Sequence, residues 1–266
     1  MSEPLDLSAD FAAMVDPEPP EAVAVESPVD PWLVRRGFGF GASDVAVVLA
    51  ALGRRSPDDL PVYMQKRVKL KRVRGMTPAP RVFMEKAGVV APLKVGGPAN
   101  LGSEREPELV RQWLDKVRRG AAGPDCLMLV AGSAHYVEGD WPRQLIPFVD
   151  PHCFRHRVSP DVLIENAFGG LECWDAKCSF KPYDGIKWCH RVQVTSQMAA
   201  CNAEAGGILE GEGWSAPFRD HAGEPMGAIV SRSIERDEAL VDEIRSADEE
   251  GWQRVEAIRE EWRNIE

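Results

Sequence analysis

Three side chains in the middle of the chain have the types and spacing for phosphodiester chemistry. Ser159-Pro160-Asp161 is followed, fourteen residues after the aspartate, by Asp175-Ala176-Lys177. Two carboxylates and one ammonium are the minimum set for holding Mg²⁺ against a phosphodiester and presenting a water to it. Val158–Glu165 predicts a strand, Asn166–Gly170 a turn and Leu171–Cys178 a second strand. A hairpin symmetric about Phe168 sets position 161 against position 175. Directly opposed residues in such a pair have Cβ atoms about 4.5–5.5 Å apart. Asp175 and Lys177 share a face because side chains alternate along a strand. The plain alternative is a turn-starting Pro-Asp with an ordinary salt bridge between Asp175 and Lys177.

Further candidates flank the hairpin. Glu106 lies in Gly102-Ser103-Glu104-Arg105-Glu106-Pro107, where Ser103 and Glu106 have capping-box spacing. The same carboxylate would serve equally as a third metal ligand. Gln193 and Gln197 stand one turn apart on the helix after the hairpin. They suit a water or a phosphate, or simply a solvated face. Arg35 and Arg36 precede Gly37-Phe38-Gly39-Phe40-Gly41 and then Ser43. Glycines let backbone amides approach an anion, and a helix opened by Ser43 would attract phosphate at its N-terminus. The bland reading is a flexible entry loop with a capping serine.

The elements that must position these groups alternate in type. Ser43 predicts the N-cap of a buried helix over Val45–Leu52 that stops at Gly53. Ser56–Val73 predicts a second helix, Gly75–Gly97 a loop, and Leu109, Val110, Trp113, Leu114 and Val117 a third helix. Cys126–Tyr136 predicts a strand and Gly139–Pro151 a loop. Beyond the hairpin, a helix over His190–Ala203 and strands near Gly207–Glu210 and Ala228–Ser233 follow. The last helix, Glu235 to Trp262, has the stripe Leu240, Ile244, Trp252, Val255, Ile258 and Trp262. Trp252 and Trp262 suit either the protein's own core or an interface. The order predicts an α/β fold around a modest mixed sheet.

Composition bounds the rest. At 266 residues and 44% hydrophobic, the chain has material for a real core. Residues 1–30, acidic and rich in Pro and Ala, predict a disordered tail, and 31–266 a single domain. No signal peptide or membrane-length apolar run is evident. Six cysteines without a C-x-x-C pair favour a reduced cytoplasmic setting over a zinc ribbon or disulfide framework. His152, Cys153 and His156 read as loop and core residues rather than a metal site. The net charge of −10 is unfavourable for a nucleic-acid partner as a sum. Its distribution is not: Lys66, Arg67, Lys69, Lys71, Arg72 and Arg74 form a block with no acid inside it.

Taken in order, these fragments resemble the YqaJ-type viral recombinases, close to the bacteriophage lambda exonuclease group of PD-(D/E)xK nucleases. Trp32-x-x-x-Arg36 with Gly41-Ala42-Ser43-Asp44 resembles that family's N-terminal motif. Gly102-x-x-x-Glu106-Pro107 resembles its G-x-x-x-E-P helix. Ser159-Pro160-Asp161 and Asp175-Ala176-Lys177-Cys178 match its central elements, and Gln193-x-x-x-Gln197-Met198 resembles its glutamine helix. Ser233-Ile234-Glu235-Arg236-Asp237, with the acidic helix carrying Trp252, resembles its C-terminal end. The chain departs from the pattern at Asp175 (often Glu), Val162 (often Gly), His190 (often Tyr) and Thr195 (often Gln), and Val68–Lys94 does not align with it.

The resemblance implies a restriction-endonuclease-like core, a mixed sheet flanked by helices. It implies Mg²⁺- or Mn²⁺-dependent 5′→3′ digestion of linear duplex DNA, yielding single strands for recombination by annealing. Glu106, Asp161, Asp175 and the Ala176 carbonyl would hold one or two metal ions. Lys177 and Gln193 would act on the nucleophile and phosphate. Arg36 and Ser43 would bind the 5′-phosphate, with Arg35 and Gln197 on the DNA. It further implies a homotrimer, a single-strand annealing partner and a phage or prophage protein in a bacterial cytoplasm. A structure- or site-specific endonuclease, a RecB-like nuclease and a non-catalytic DNA-binding module remain as alternatives on the same core.

Overall fold

A computed structural model describes residues 39–93, 105–106, 108–114, 127–132, 148–166, 169–179, 184–212 and 228–265. The N-terminal tail, Arg35, Arg36 and Ser103 lie outside them. Helix α1 (Ala42–Ala51) is followed by a 3₁₀ turn (Pro57–Asp59), α2 (Val62–Val68), β1 (Leu70–Lys71), β2 (Ala79–Pro80) and α3 (Arg81–Ala87). Helical residues 105–106 and 108–114 form α4. Then come β3 (Leu127–Gly132), β4 (Phe148–Asp150), β5 (Cys153–Val158), β6 (Val162–Asn166) and β7 (Leu171–Cys178). Helix α5 (Trp188–Cys201), β8 (Ala205–Gly211), β9 (Ile229–Glu235) and α6 (Glu238–Arg263) complete the order.

The main sheet runs β3-β6-β7-β8-β9. Its pairs are antiparallel except β7 with β8, which α5 connects in parallel. One face packs on α5 through Leu163, Cys173, Val194, Met198 and Ile208. The other carries α4, whose Leu109, Val110, Trp113 and Leu114 meet Val162, Trp174, Ala176 and Leu209. A larger cluster joins α1, α3 and α6 around Phe40, Val48, Phe83, Ile244 and Trp252. This is an α/β restriction-endonuclease-like core, a mixed sheet flanked by helices.

Proline and glycine account for most differences from the expected elements. The predicted Ser56–Val73 helix is broken: Pro61 precedes α2 and disfavours helical backbone at Leu60, and the chain turns extended at Lys69. The predicted Gly75–Gly97 loop contains α3, entered from Pro80 and stopped by Gly88 at φ +82°. Pro and Gly here punctuate a helix rather than forbid one. The predicted loop over Gly139–Pro151 contains β4. The predicted Val158–Glu165 strand is two strands of different sheets, β5 paired with β4 and β6 with β7, separated at Ser159–Asp161.

The C-terminal helix lies on the body. Asp237 Oδ1 caps α6 by accepting from the Leu240 amide at 3.1 Å. Trp252 is buried edge-on against Phe40, with ring centroids 5.8 Å apart, and Trp262 packs on the same cluster. Among the described residues no helix is long and apolar enough to cross a membrane.

Candidate active site

The register of β6 on β7 is Val162↔Trp174, Leu163↔Cys173, Ile164↔Glu172 and Glu165↔Leu171, symmetric about position 168. Beyond Trp174 the strands part. Pro160 has no amide to continue the ladder, and β6 begins at Val162. β7 continues beside β8 alone, with Asp175↔Ile208 and Lys177↔Glu210. At the edge so freed, Asp161 Oδ2 accepts from the Ala176 amide at 2.8 Å. The N–H and C=O of one strand residue point to the same edge, so the Ala176 carbonyl turns toward Asp161 as well.

Asp175 is 1% exposed and held from three sides. Its Oδ2 meets Lys177 Nζ at 2.5 Å. Its Oδ1 accepts from Gln193 Nε2 at 2.8 Å and from Gln197 Nε2 at 3.2 Å. Residues four apart on α5 share a face, and that face is turned onto Asp175. The solvated-face reading of the two glutamines is therefore wrong. Gln197 is buried, with its amide on Asp175 and not on the surface.

Glu106 reaches the site from α4, which docks on β7 through Trp113 against Trp174, centroids 5.2 Å apart. It is near enough for its charge to act on both Asp161 and Lys177. Burial and the charge of Asp175 push the Asp161 carboxyl well above its ordinary 3.8, Lys177 opposes them, and Glu106 adds to the rise. Burial pulls Lys177 down, but Asp175, Asp161 and Glu106 outweigh it and raise the ammonium above its ordinary 10.5. Three carboxyls thus surround one ammonium, a field that favours further positive charge. Among the described residues no three His, Cys, Asp or Glu side chains form a ready-made metal cage. The available donors are all oxygens on an open edge, which suits a small hard cation that keeps several of its waters.

At the predicted phosphate pocket, Gly41 rather than Ser43 is the N-cap of α1, and Ser43 sits half-buried in the first turn. Asp44 takes the capping role, accepting from the Gly41 amide at 3.1 Å. It also binds Arg67 and Lys86, both at 2.9 Å. With Arg35 and Arg36 outside the described residues, Ser43 is the member of that group the structure places.

Two further residues stand beside the site. His190 is buried one turn before Gln193; burial and the Lys177 charge lower its imidazole to about 4, so it stays neutral. The spacing of 190, 193 and 197 along one helix face was the available signal. Tyr63, at the start of α2, lies where the charges of Lys177 and Asp175 act on its phenol. No local pattern points to it. Glu210, beside Lys177 on β8, is fully buried but occupied by Arg232 at 3.3 Å and Ser179 Oγ at 3.0 Å.

No family model matches the chain, and no curated protein matches it by sequence. Solved structures do. An alkaline exonuclease, LHK-Exo from Laribacter hongkongensis, superposes with TM-score 0.54 at 16% identity, covering 88% of this chain and 96% of that one. Its complex with dAMP gives TM-score 0.54 at 17% identity, covering 88% and 96%. A phage related exonuclease from Haemophilus somnus 129PT is more distant, with TM-score 0.44 at 13% identity over 85% of this chain and 94% of the other. The chain has the fold of that alkaline exonuclease, consistent with the family resemblance of its motifs.

Proposed function

We propose that the protein is a metal-dependent exonuclease that digests one strand of linear duplex DNA from its 5′ end. The observation that carries this is the group on the freed edge of β7: Asp161 on the Ala176 amide, and Asp175 between Lys177 and two glutamines. Glu106, Asp161, Asp175 and the Ala176 carbonyl would hold one or two Mg²⁺ or Mn²⁺ ions. Such an ion supplies a lowered pKa for bound water and charge compensation on the phosphate oxygens.

The chain's own residues divide the remaining work. Lys177 is raised above 10.5, so it remains an ammonium; it neutralises charge gathering on the phosphate rather than accepting a proton. Gln193 and Gln197 fix the Asp175 carboxylate so that one oxygen stays turned to Lys177 and the reacting phosphate. Water attacks phosphorus, the P–O3′ bond breaks, and the shortened strand keeps a 5′-phosphate. Ser43, with Arg35 and Arg36, would bind that new terminus and set polarity. The similar structure with dAMP holds a nucleoside monophosphate, the class of product this cleavage releases. A homotrimer enclosing the duplex and a strand-annealing partner in phage-encoded recombination complete the proposal; they rest on the motif resemblance.

Incubating linear duplex with Mg²⁺ or Mn²⁺, and in EDTA, tests the chemistry. Digestion only with metal, and its loss in Lys177→Ala, is expected. An intact substrate with wild-type protein, or undiminished digestion by the variant, overturns the reading. Faster digestion from 5′-phosphorylated than from 5′-hydroxyl ends is expected from the polarity; equal rates remove the role of Ser43 and the arginines.

A further inference from the structure

The block of cations after α2 is divided by the fold. Arg67 turns inward, to Asp44 at 2.9 Å and to Glu85 at 2.8 Å. Lys66, Lys69, Lys71, Arg72 and Arg74 are exposed, and among the described residues none of the five meets a carboxylate. Four of them lie on or beside the β1–β2 ribbon, where Leu70 pairs with Pro80 and Lys71 with Ala79.

This ribbon is tied to the body. The Lys69 carbonyl accepts from the Arg81 amide at 3.1 Å. Glu85 joins Arg67 to Arg81, and the flanking Val68 and Val73 pack on the α1–α3–α6 cluster. The cations are therefore presented on a fixed support. Leu70, between Lys69 and Lys71, is 67% exposed and takes no part in the fold's core.

Position connects the ribbon to the site. Met64, beside Tyr63 at the start of α2, and Val192, beside Gln193 on α5, lie in one buried cluster, and the ribbon follows the other end of α2. Five helical steps at 1.5 Å and three extended ones near 3.3 Å put Lys71 within roughly 18 Å of Tyr63. That is about five base pairs of duplex at 3.4 Å each. A two-stranded ribbon is also narrow enough to enter the major groove.

We propose that the β1–β2 ribbon, with Lys66, is a second binding surface that holds the phosphates of undigested duplex a few base pairs from the cleavage site. The partner is double-stranded DNA, recognised through its backbone charge without regard to sequence. The assignment rests on the nuclease reading of the neighbouring site. It explains how a chain of net charge −10 would retain a polyanion: repulsion is distributed, and the positive surface is local.

The test is fluorescence anisotropy of a labelled blunt duplex in EDTA, where binding is read without turnover, over a series of salt concentrations. The K69Q/K71Q/R72Q/R74Q variant should bind more weakly, with a log–log salt slope shallower by about 3–4, near 0.9 for each phosphate the variant no longer neutralises. The charge-conserving K69R/K71R variant should bind as wild type does. Metal-supported hydrolysis of thymidine 5′-p-nitrophenyl phosphate, too small to reach the ribbon, should be unchanged in both. A wild-type slope in the quadruple variant overturns the ribbon's role. The nuclease reading fails on a different result, linear duplex left intact by wild type with metal.

Discussion

Among the described residues, two buried aspartates are gripped through α5, and they do opposite things. Asp175 is held by Gln193 and Gln197 and leans on Lys177, whose side chain is 23% exposed at the open edge of β7. Asp248 of α6 is sealed. Its Oδ2 lies 2.6 Å from His156 Nδ1, and His156 Nε2 lies 2.8 Å from Ser196 Oγ and 3.0 Å from the Ser196 carbonyl. Serine, histidine and aspartate in this order are the parts of an activated nucleophile. Here all three are fully buried. Access, more than residue type, separates a reactive cluster from a structural one. The sealed cluster locks β5, α5 and α6 together and so holds the glutamine face of α5 over Asp175.

Breaking the sealed cluster should have the largest effect, on folding. His156→Ala leaves Asp248 as an unpaired buried acid, and removing one partner of a buried pair costs about 3–5 kcal/mol. Denaturant unfolding would read that loss, while the fraction that folds should keep most of its digestion rate. Breaking the open cluster should do the reverse. Lys177→Ala should lower kcat by about a hundredfold to a thousandfold, or roughly 2.7–4 kcal/mol of transition-state stabilisation. Its unfolding midpoint should move much less than that of His156→Ala. Gln193→Ala should have a smaller effect, about tenfold in kcat or 1.4 kcal/mol, because Gln197 still holds the same carboxylate oxygen.

The pH dependence of stability should show the least difference between the two clusters. Burial lowers His156, but its hydrogen bond and ion pair with Asp248 outweigh that and raise it above its ordinary 6.5. Asp150 adds to the rise, while Asp44 and Lys86 act on Asp248. A base raised on folding adds stability that is complete below its unfolded value and lost as pH rises through the folded one. Burial also raises Asp248 to about 6, so wild type should lose stability as pH climbs above 6.5 relative to the double variant His156→Gln/Asp248→Asn, which removes both titrating groups. Equal pH dependence in the two would contradict a charged pair.

What was legible in the sequence followed local rules. Period-two alternation and the Gly169-Gly170 turn put the hairpin in its observed register, and the apolar stripe of α6 packs as its spacing demands. The unread parts depend on distant partners. Gln197 looks like a solvent residue until Asp175, 22 positions away, is brought beneath it. Asp248 sits inside an apolar stripe, a signal of burial, but its partner is 92 residues distant. The basic block reads as a unit, yet Asp44 and Glu85 remove Arg67 from it. Helix α3 was hidden because its own start and stop residues resemble loop composition.

End-directed hydrolysis of DNA by the group around Asp161, Asp175 and Lys177 is the proposed activity. Its most direct test compares end-labelled linear duplex with covalently closed circular duplex in the presence of Mg²⁺. The linear substrate should be digested by wild type, the circle spared, and both left intact by Asp175→Asn. Cutting of the circle at a rate matching the linear form, or digestion that survives Asp175→Asn, would contradict the account.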